Sequence, residues 1–124
     1  MADLREAPEH ITLRTFNFAV RVVKLAQHLD KSPGVPRTLS NQLLRAGTSI
    51  GANVEEAQGA QSRADFIAKM SIGLKEARET LYWLRILKAA ELCSEKQLAE
   101  LETEANEIVS VLIAIVRNTK RNSE

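Results

Sequence analysis

The stretch RAGTSIGANVEEAQGA, residues 45–60, can be interpreted in two ways, and each implies a different fold. Residues 47–51 satisfy G-x-S-x-G, a pattern that in serine hydrolases places the nucleophile, here Ser49, on a sharp turn between a strand and a helix. Both histidines, His10 and His28, precede Ser49, so no later histidine is present to act as its base in the order that this motif uses. Apolar residues instead recur at helical spacing from just before the stretch into its second half: Leu39, Leu43, Ala46, Ile50 and Val54. The sequence therefore predicts a helix here and no catalytic serine.

The composition is that of an ordinary globular domain. Of the 124 residues, 44% are hydrophobic and 27% charged, and the formal net charge is +1. So small a net charge gives no bulk reason for tight binding to nucleic acid. The longest apolar run, residues 111–116, is too short to span a membrane, and residues 1–10 lack the apolar core of a signal peptide. We therefore expect a single cytoplasmic domain, residues 1–124, with no membrane contact.

No pattern in the sequence predicts a metal site, a cofactor or a reaction. The only cysteine, Cys93, excludes an intrachain disulfide and a cysteine-based metal site. Carboxylate-bridged metals in helical bundles use Glu-x-x-His pairs, and no glutamate here has a histidine three residues later. Because no acid, base and nucleophile converge in the pattern, we expect no catalytic residue and no enzymatic activity.

Four segments have helical periodicity, and no segment of useful length alternates as a strand does. Ser62 and Ser94 each begin a capping-box pattern, which supports the starts of the third and fourth segments. The first segment has a broad apolar face, formed by Phe18, Val22, Leu25 and Leu29 with Phe16, Val20 and Val23 beside them. The predicted helices cover residues 11–30, 37–58, 63–90 and 95–118. Four amphipathic helices with short links most simply form an all-α, antiparallel, up-down-up-down four-helix bundle.

Gly47 and Gly51 lie one helical turn apart, and each costs a helix about 1 kcal/mol relative to alanine. We interpret the pair as a point of close approach by a neighbouring backbone, within the chain or between subunits. A local irregularity without a partner is the alternative. Tyr82 and Trp83 are adjacent, so one can enter the core while the other covers an edge or a subunit contact.

Asn53 and Glu56 lie three residues apart at the edge of the apolar face of the second helix. A hydrogen-bonded polar contact at such an edge fixes helix register, and we expect Arg45 or Thr48 as the partner. A ligand pocket at these two residues is the alternative interpretation.

Charge is distributed unevenly between the first and fourth helices. The first carries one polar, mainly basic stripe at 3-4-3-4 spacing: Arg14, Asn17, Arg21, Lys24 and His28. The fourth is mainly acidic: Glu95, Glu100, Glu102, Glu104 and Glu107. Either these are two solvated faces of opposite sign, which can pair across a bundle or subunit seam, or the basic stripe contacts nucleic-acid phosphates. Two solvated faces are the favoured interpretation, because no aromatic residues interleave the cations for base stacking.

The chain resembles a bacterial four-helix-bundle family over about residues 11–117. The resemblance is carried by residues 42–57 and 62–67, with residues 16–21 and 75–84. Its members include proteins encoded by intervening sequences in 23S ribosomal RNA genes. The accessory variability determinant of diversity-generating retroelements forms a related branch. The resemblance implies a left-turning antiparallel bundle, a homopentameric ring and no known catalysis. For the retroelement branch, which is strongly basic, it implies binding to nucleic acid and a reverse transcriptase.

Two functions are therefore predicted as alternatives. In the first, the chain is an oligomeric accessory or adaptor protein associated with RNA or DNA. Its phosphate contacts would then be Arg14, Arg21 and Lys24, helped by Arg37, Arg45 or Arg63. In the second, the chain is a structural or protein–protein interaction module that binds itself, and in some settings another protein, and its charged faces serve subunit contacts.

Overall fold

The computed structural model describes residues 6–122, with side chains from residue 10 onward, and this part of the chain consists of four α-helices without a strand. The helices are α1 Glu6–Asp30, α2 Val35–Gln58, α3 Arg63–Ala89 and α4 Glu95–Asn122. The predicted all-α class is thereby confirmed. The outermost parts of the predicted domain, residues 1–5 and 123–124, lie outside the described residues.

Three helix ends differ from the prediction by more than one residue. α1 begins five residues earlier than predicted, α2 begins two residues earlier, and α4 ends four residues later. Polar end turns carry no apolar periodicity, so a pattern of buried residues underestimates helix length. At the start of α2, Pro36 lies within the first turn, where its missing N–H group leaves no helical hydrogen bond unmade.

Both predicted capping boxes begin helices. The Ser62 hydroxyl accepts a hydrogen bond from the Asp65 backbone N–H at 3.0 Å. At the start of α4 the pairing is reciprocal. The Gln97 N–H donates to Ser94 Oγ at 3.2 Å, and the Ser94 N–H donates to Gln97 Oε1 at 3.1 Å. These bonds satisfy N–H groups that a helix N-terminus leaves unpaired.

The end of α3 is closed by a residue with positive φ that is not glycine. Glu91 has φ 57°. The N–H groups of Glu91 and of the next residue satisfy two of the last carbonyls of the helix. The Leu92 N–H donates to the Leu87 carbonyl at 3.0 Å, and the Glu91 N–H donates to the Lys88 carbonyl at 3.1 Å. This is the Schellman arrangement, in which glycine is the usual residue at the left-handed position.

The four helices enclose one apolar core. α1 packs on α2, α2 on α3 and α3 on α4, and α4 returns to α1. Phe18, Leu43, Met70, Leu84 and Ile108 are among the largest fully buried side chains, so every helix contributes to the core. The apolar flank predicted for the first helix is different: Phe16, Val20 and Val23 are exposed.

Candidate functional site

The two glycines of the opening stretch lie on the face of α2 that packs against α1. A β-carbon at Gly47 would lie 2.7 Å from Val22 Cγ1, and one at Gly51 would lie 3.4 Å from the Thr15 carbonyl group. Only a residue without a side chain allows the first of these approaches without displacement. Gly47 and Gly51 therefore have a packing partner within the chain itself.

The hydroxyl of the serine between the glycines is hydrogen-bonded within its own helix. Ser49 Oγ donates to the Arg45 carbonyl oxygen at 2.6 Å, and the neighbouring Thr48 Oγ1 donates to the Leu44 carbonyl oxygen at 2.7 Å. Such bonds to a carbonyl four residues earlier are the common resting state of a hydroxyl inside a helix. Within residues 10–122, no side chain is hydrogen-bonded to Ser49 Oγ in the way that a general base would be.

Asn53 and Glu56 do not have the partners that the sequence led us to expect. Asn53 Nδ2 donates to the Ser49 carbonyl oxygen at 2.8 Å, which is a contact within α2. Glu56 Oε2 lies 3.3 Å from Lys69 Nζ on α3. The prediction of Arg45 or Thr48 as partner was wrong, because both are engaged elsewhere and the α2–α3 seam supplies Lys69.

Two residues of the basic stripe of α1, Arg14 and Arg21, pair with the acidic face of α4. Arg14 donates to both carboxylate oxygens of Glu104, from Nε at 2.7 Å and from Nη2 at 2.8 Å, and it also bonds Glu107. About two helical turns further along α1, Arg21 Nη2 lies 3.3 Å from Glu100 Oε2. The hydrogen bond from Arg14 holds the pKa of Glu104 below its usual range, and the same bond raises the pKa of Arg14.

A second charged cluster joins α2 to α3. Arg45 Nη1 lies 3.1 Å from Glu76 Oε2, and its Nη2 bonds Glu79. The indole N–H of Trp83 donates to the same oxygen of Glu79 at 3.1 Å. Glu76 is buried, so a paired cation is required to offset the cost of removing its carboxylate from water.

The remaining candidate phosphate contacts differ among themselves. Arg37 donates to the Asp30 carbonyl oxygen at 2.9 Å, and Arg63 donates to the Asn122 carbonyl oxygen. Lys24 is exposed and has no ion pair with any residue from 6 to 122. Of the six predicted cations, Lys24 alone therefore has no acceptor within the described chain.

A stripe of exposed apolar side chains runs along the side of α1 opposite the core. We call it the α1 stripe, and it consists of Leu13, Phe16, Val20 and Val23 at 3-4-3 spacing. Leu13 is 61% exposed and Phe16 is 58% exposed. Apolar residues grouped in this way mark an interaction site more often than scattered ones do. The sequence predicts Phe16, Val20 and Val23 as the flank of the core face, and the structure places them in the exposed stripe.

On another side of the molecule, an open groove of about 670 Å³ lies between α3 and α4. Tyr82 is 53% exposed at this groove, and its ring meets that of Trp83 edge-on with centroids 5.4 Å apart. Glu102 Oε1 is buried at the groove without a hydrogen-bond partner, and Glu102 Oε2 lies 3.9 Å from Lys88 Nζ. We call this the α3–α4 groove, and its lining includes Leu81, Tyr82, Arg85, Ile86, Ala89 and Glu102.

Among the side chains that the structure describes, residues 10–122, no three His, Cys, Asp or Glu side chains are grouped so that they could hold a metal ion. Over the same range, none of the helices is long and apolar enough to cross a bilayer.

The sequence matches a known family, and the fold is shared with a solved structure. Residues 10–114 match the model of the 23S rRNA-intervening sequence protein family. The chain belongs to this family. A solved structure of a family protein from Bacteroides thetaiotaomicron VPI-5482, described as an S23 ribosomal protein family member of unknown function, is 42% identical, with a TM-score of 0.83. The match covers 90% of this chain and 98% of that one. A search of curated proteins finds no match to this member of the 23S rRNA-intervening sequence family.

Proposed function

We propose that the chain is a non-enzymatic, homo-oligomeric four-helix bundle that serves as a protein-interaction module in the cytoplasm. The observation that carries this proposal is the α1 stripe, because Leu13 and Phe16 expose most of their apolar surface on the side of α1 that faces away from the core. Burying such a stripe against another protein surface removes apolar area from water, at about 25 cal/mol per Å².

The pairing of charges inside the molecule supports the same function. Three arginines pair their guanidinium groups with carboxylates of a neighbouring helix: Arg14, Arg21 and Arg45. When a cation is already held by a carboxylate, its binding to a phosphate yields little free energy, since the carboxylate must first be displaced. Arg14 and Arg45 are therefore assigned to holding the helices together, whereas the exposed Arg21–Glu100 pair contributes little.

An antiparallel arrangement and a ring of five subunits complete the proposal. Along the α1–α4 seam, Arg14 meets Glu104 whereas the later Arg21 meets the earlier Glu100, an order that fits helices running in opposite directions. The number five rests on the family resemblance. An odd ring requires a contact between two different surfaces, since identical surfaces that meet face to face pair subunits in twos.

Sedimentation velocity of wild type beside Phe16→Gln tests this proposal. The wild type is expected to sediment as an oligomer. The Phe16→Gln oligomer should dissociate at protein concentrations at which wild type stays assembled, because the phenyl group that would be buried between copies is lost. Ala52→Gln, an equally conservative change at an exposed position of α2, is the control and should sediment like wild type. A wild type that sediments as a 13.8 kDa monomer at every concentration would refute the proposal.

A nucleic-acid-associated accessory role is the second candidate. Lys24, His28 and Lys31 are exposed along and just beyond α1, and none has an ion pair with a described residue. The family description, which names 23S rRNA, makes RNA the first nucleic acid to try. Two lysine–phosphate contacts predict that binding weakens roughly tenfold between 50 and 200 mM salt.

A gel shift with the double variant Lys24→Gln/Lys31→Gln tests this second candidate. The double variant should bind RNA less tightly and with a shallower salt dependence than wild type. Lys75→Gln, which removes an exposed lysine from α3, is the matched control. If wild type shifts no RNA at 50 mM salt while its oligomer is intact, the accessory role is excluded for that RNA.

A further inference from the structure

The α3–α4 groove contains positive charge that the chain does not fully neutralise. Arg85 is exposed at the groove, and its guanidinium group has no hydrogen bond or ion pair with residues 10–122. Lys88 follows one helical turn later, and within the described chain its ion pair is to Glu102 Oε2, at 3.9 Å. Two cations and one carboxylate therefore line the groove, and one of the cations is free to bind an anion.

The same groove offers an apolar surface beside these cations. Tyr82 is 53% exposed, Leu81 and Ile86 are half-buried next to it, and Ala89 is exposed at the end of α3. Tyrosine and arginine are both enriched in the cores of protein interfaces, where an aromatic ring supplies contact area and a guanidinium group pairs with a carboxylate. An occupant that fits the groove therefore carries negative charge together with apolar side chains.

The shape of the groove suits a peptide. It has a volume of about 670 Å³ and is open to solvent, whereas a small-molecule site encloses most of its ligand. From Leu81 to Ala89 it extends about 12 Å along α3, which an extended peptide spans with about four residues. We propose that the α3–α4 groove binds an acidic segment of another protein, whose carboxylates pair with Arg85 and Lys88 while an apolar side chain packs on Tyr82. This inference rests on the protein-interaction role in the proposed function, and it is independent of the ring.

The groove fits an acidic peptide better than a nucleic acid. Proteins that bind single strands combine a basic track with several aromatic rings on which successive bases stack. Among the described residues that line the groove, Tyr82 is the one aromatic residue, and the carboxylate of Glu102 opposes a row of phosphates. Leu81 and Ile86 offer a surface to apolar side chains, which a phosphate backbone lacks.

Selection from a random peptide library displayed on phage tests the chemistry of the partner. Immobilised wild type should enrich peptides in which several Asp or Glu residues accompany a large apolar residue, and Arg85→Glu should not enrich them. Arg85 is exposed, so the change leaves the core intact, which circular dichroism checks. Lys24→Glu makes the same change of net charge on α1, diagonally across the bundle from α3, and should enrich the same peptides as wild type. Enriched peptides without net negative charge would overturn the proposal.

Fluorescence anisotropy with one enriched peptide, synthesised with a label, then measures the contribution of each groove residue. Arg85→Gln should weaken binding about fivefold, the upper range for an exposed charge pair. Tyr82→Ala should weaken it about tenfold, because an aromatic anchor is lost. Lys24→Gln should leave binding unchanged. A peptide with lysines in place of its acidic residues should bind Arg85→Glu more tightly than wild type, and equal affinities of Arg85→Gln and Lys24→Gln for the selected peptide would show that the groove is not the site.

Two further outcomes separate the alternatives. If labelled oligouridylate binds wild type, Arg85→Gln weakens that binding and no acidic peptide is enriched, the groove is a nucleic-acid surface and the proposal is wrong. Sedimentation velocity of the same samples distinguishes this inference from self-association. An oligomeric wild type that enriches no acidic peptide refutes the groove site alone, whereas a monomeric wild type that binds the peptide through Arg85 supports the groove site and refutes the oligomer.

Discussion

Val22 Cγ1 on α1 lies 2.7 Å from the point where a β-carbon on Gly47 would be placed, so the α1–α2 seam depends on the missing side chain. Val22 is fully buried and is β-branched, so its side chain has little freedom to move aside. The same stretch that suggests a nucleophile elbow is thus a helix-packing element.

Gly47→Ala should lower the free energy of unfolding by about 1–2 kcal/mol, because overpacking costs more than the gain in helix propensity returns. Gly51→Ala is the matched control. Its β-carbon would meet Thr15 at 3.4 Å, an ordinary contact, so its stability should stay within about 1 kcal/mol of wild type. Urea unfolding at one fixed protein concentration measures both. The packing argument is wrong if Gly47→Ala is as stable as Gly51→Ala, and Val22→Ala added to Gly47→Ala should recover part of the loss.

Glu91→Gly should raise the stability of the chain by about 1 kcal/mol, because a non-glycine residue pays 1–2 kcal/mol to adopt positive φ. Glu91 is exposed and has φ 57°, so little else is lost with its side chain. Glu91→Ala is the control that removes the side chain but keeps the strained backbone, and it should give no such gain. Thermal unfolding distinguishes the two variants, and equal effects would show that the carboxylate rather than the backbone is responsible.

Glu104→Gln should destabilise the chain by about 1–2 kcal/mol at neutral pH, because it breaks a two-bond contact with a charged partner. Side chains of Arg14 and Glu104 are only 21% and 22% exposed, whereas that of Glu100 is 86% exposed. Glu100→Gln is therefore the control, with an expected loss of about 0.5 kcal/mol or less. Equal losses in the two variants would mean that burial and geometry do not strengthen the Arg14 pair.

The same pair predicts how the difference between wild type and Glu104→Gln varies with pH. The pKa of Glu104 is lower in the folded chain than the ordinary value near 4.3, since Arg14 stabilises the ionised carboxylate. Its contribution is therefore complete above the unfolded-state pKa and disappears as the pH falls through the lower folded-state pKa. Urea unfolding from pH 7 down to pH 3 should show the two proteins converge. A constant difference over that range would contradict this origin.

The parts of the molecule that were predicted from sequence are those with a local signal. Buried positions at helical spacing predicted four helices, and Ser62 and Ser94 marked two of their starts, because capping depends on residues three apart. The partners of Arg45 and Glu56 were not predicted, since Glu76 and Lys69 reach them only after α2 and α3 pack. Exposure of Phe16 also depends on packing, because α1 is apolar on two faces and periodicity alone does not say which of them lies against the core.

Native mass spectrometry of the wild-type chain at micromolar concentration tests most directly the central claim that this bundle works as an assembly of its own copies. The expected main species has five times the 13.8 kDa chain mass, and it gives way to smaller species in Val20→Glu but not in Ala52→Glu. A wild type found only at the mass of a single chain, with α-helical circular dichroism intact, would contradict it.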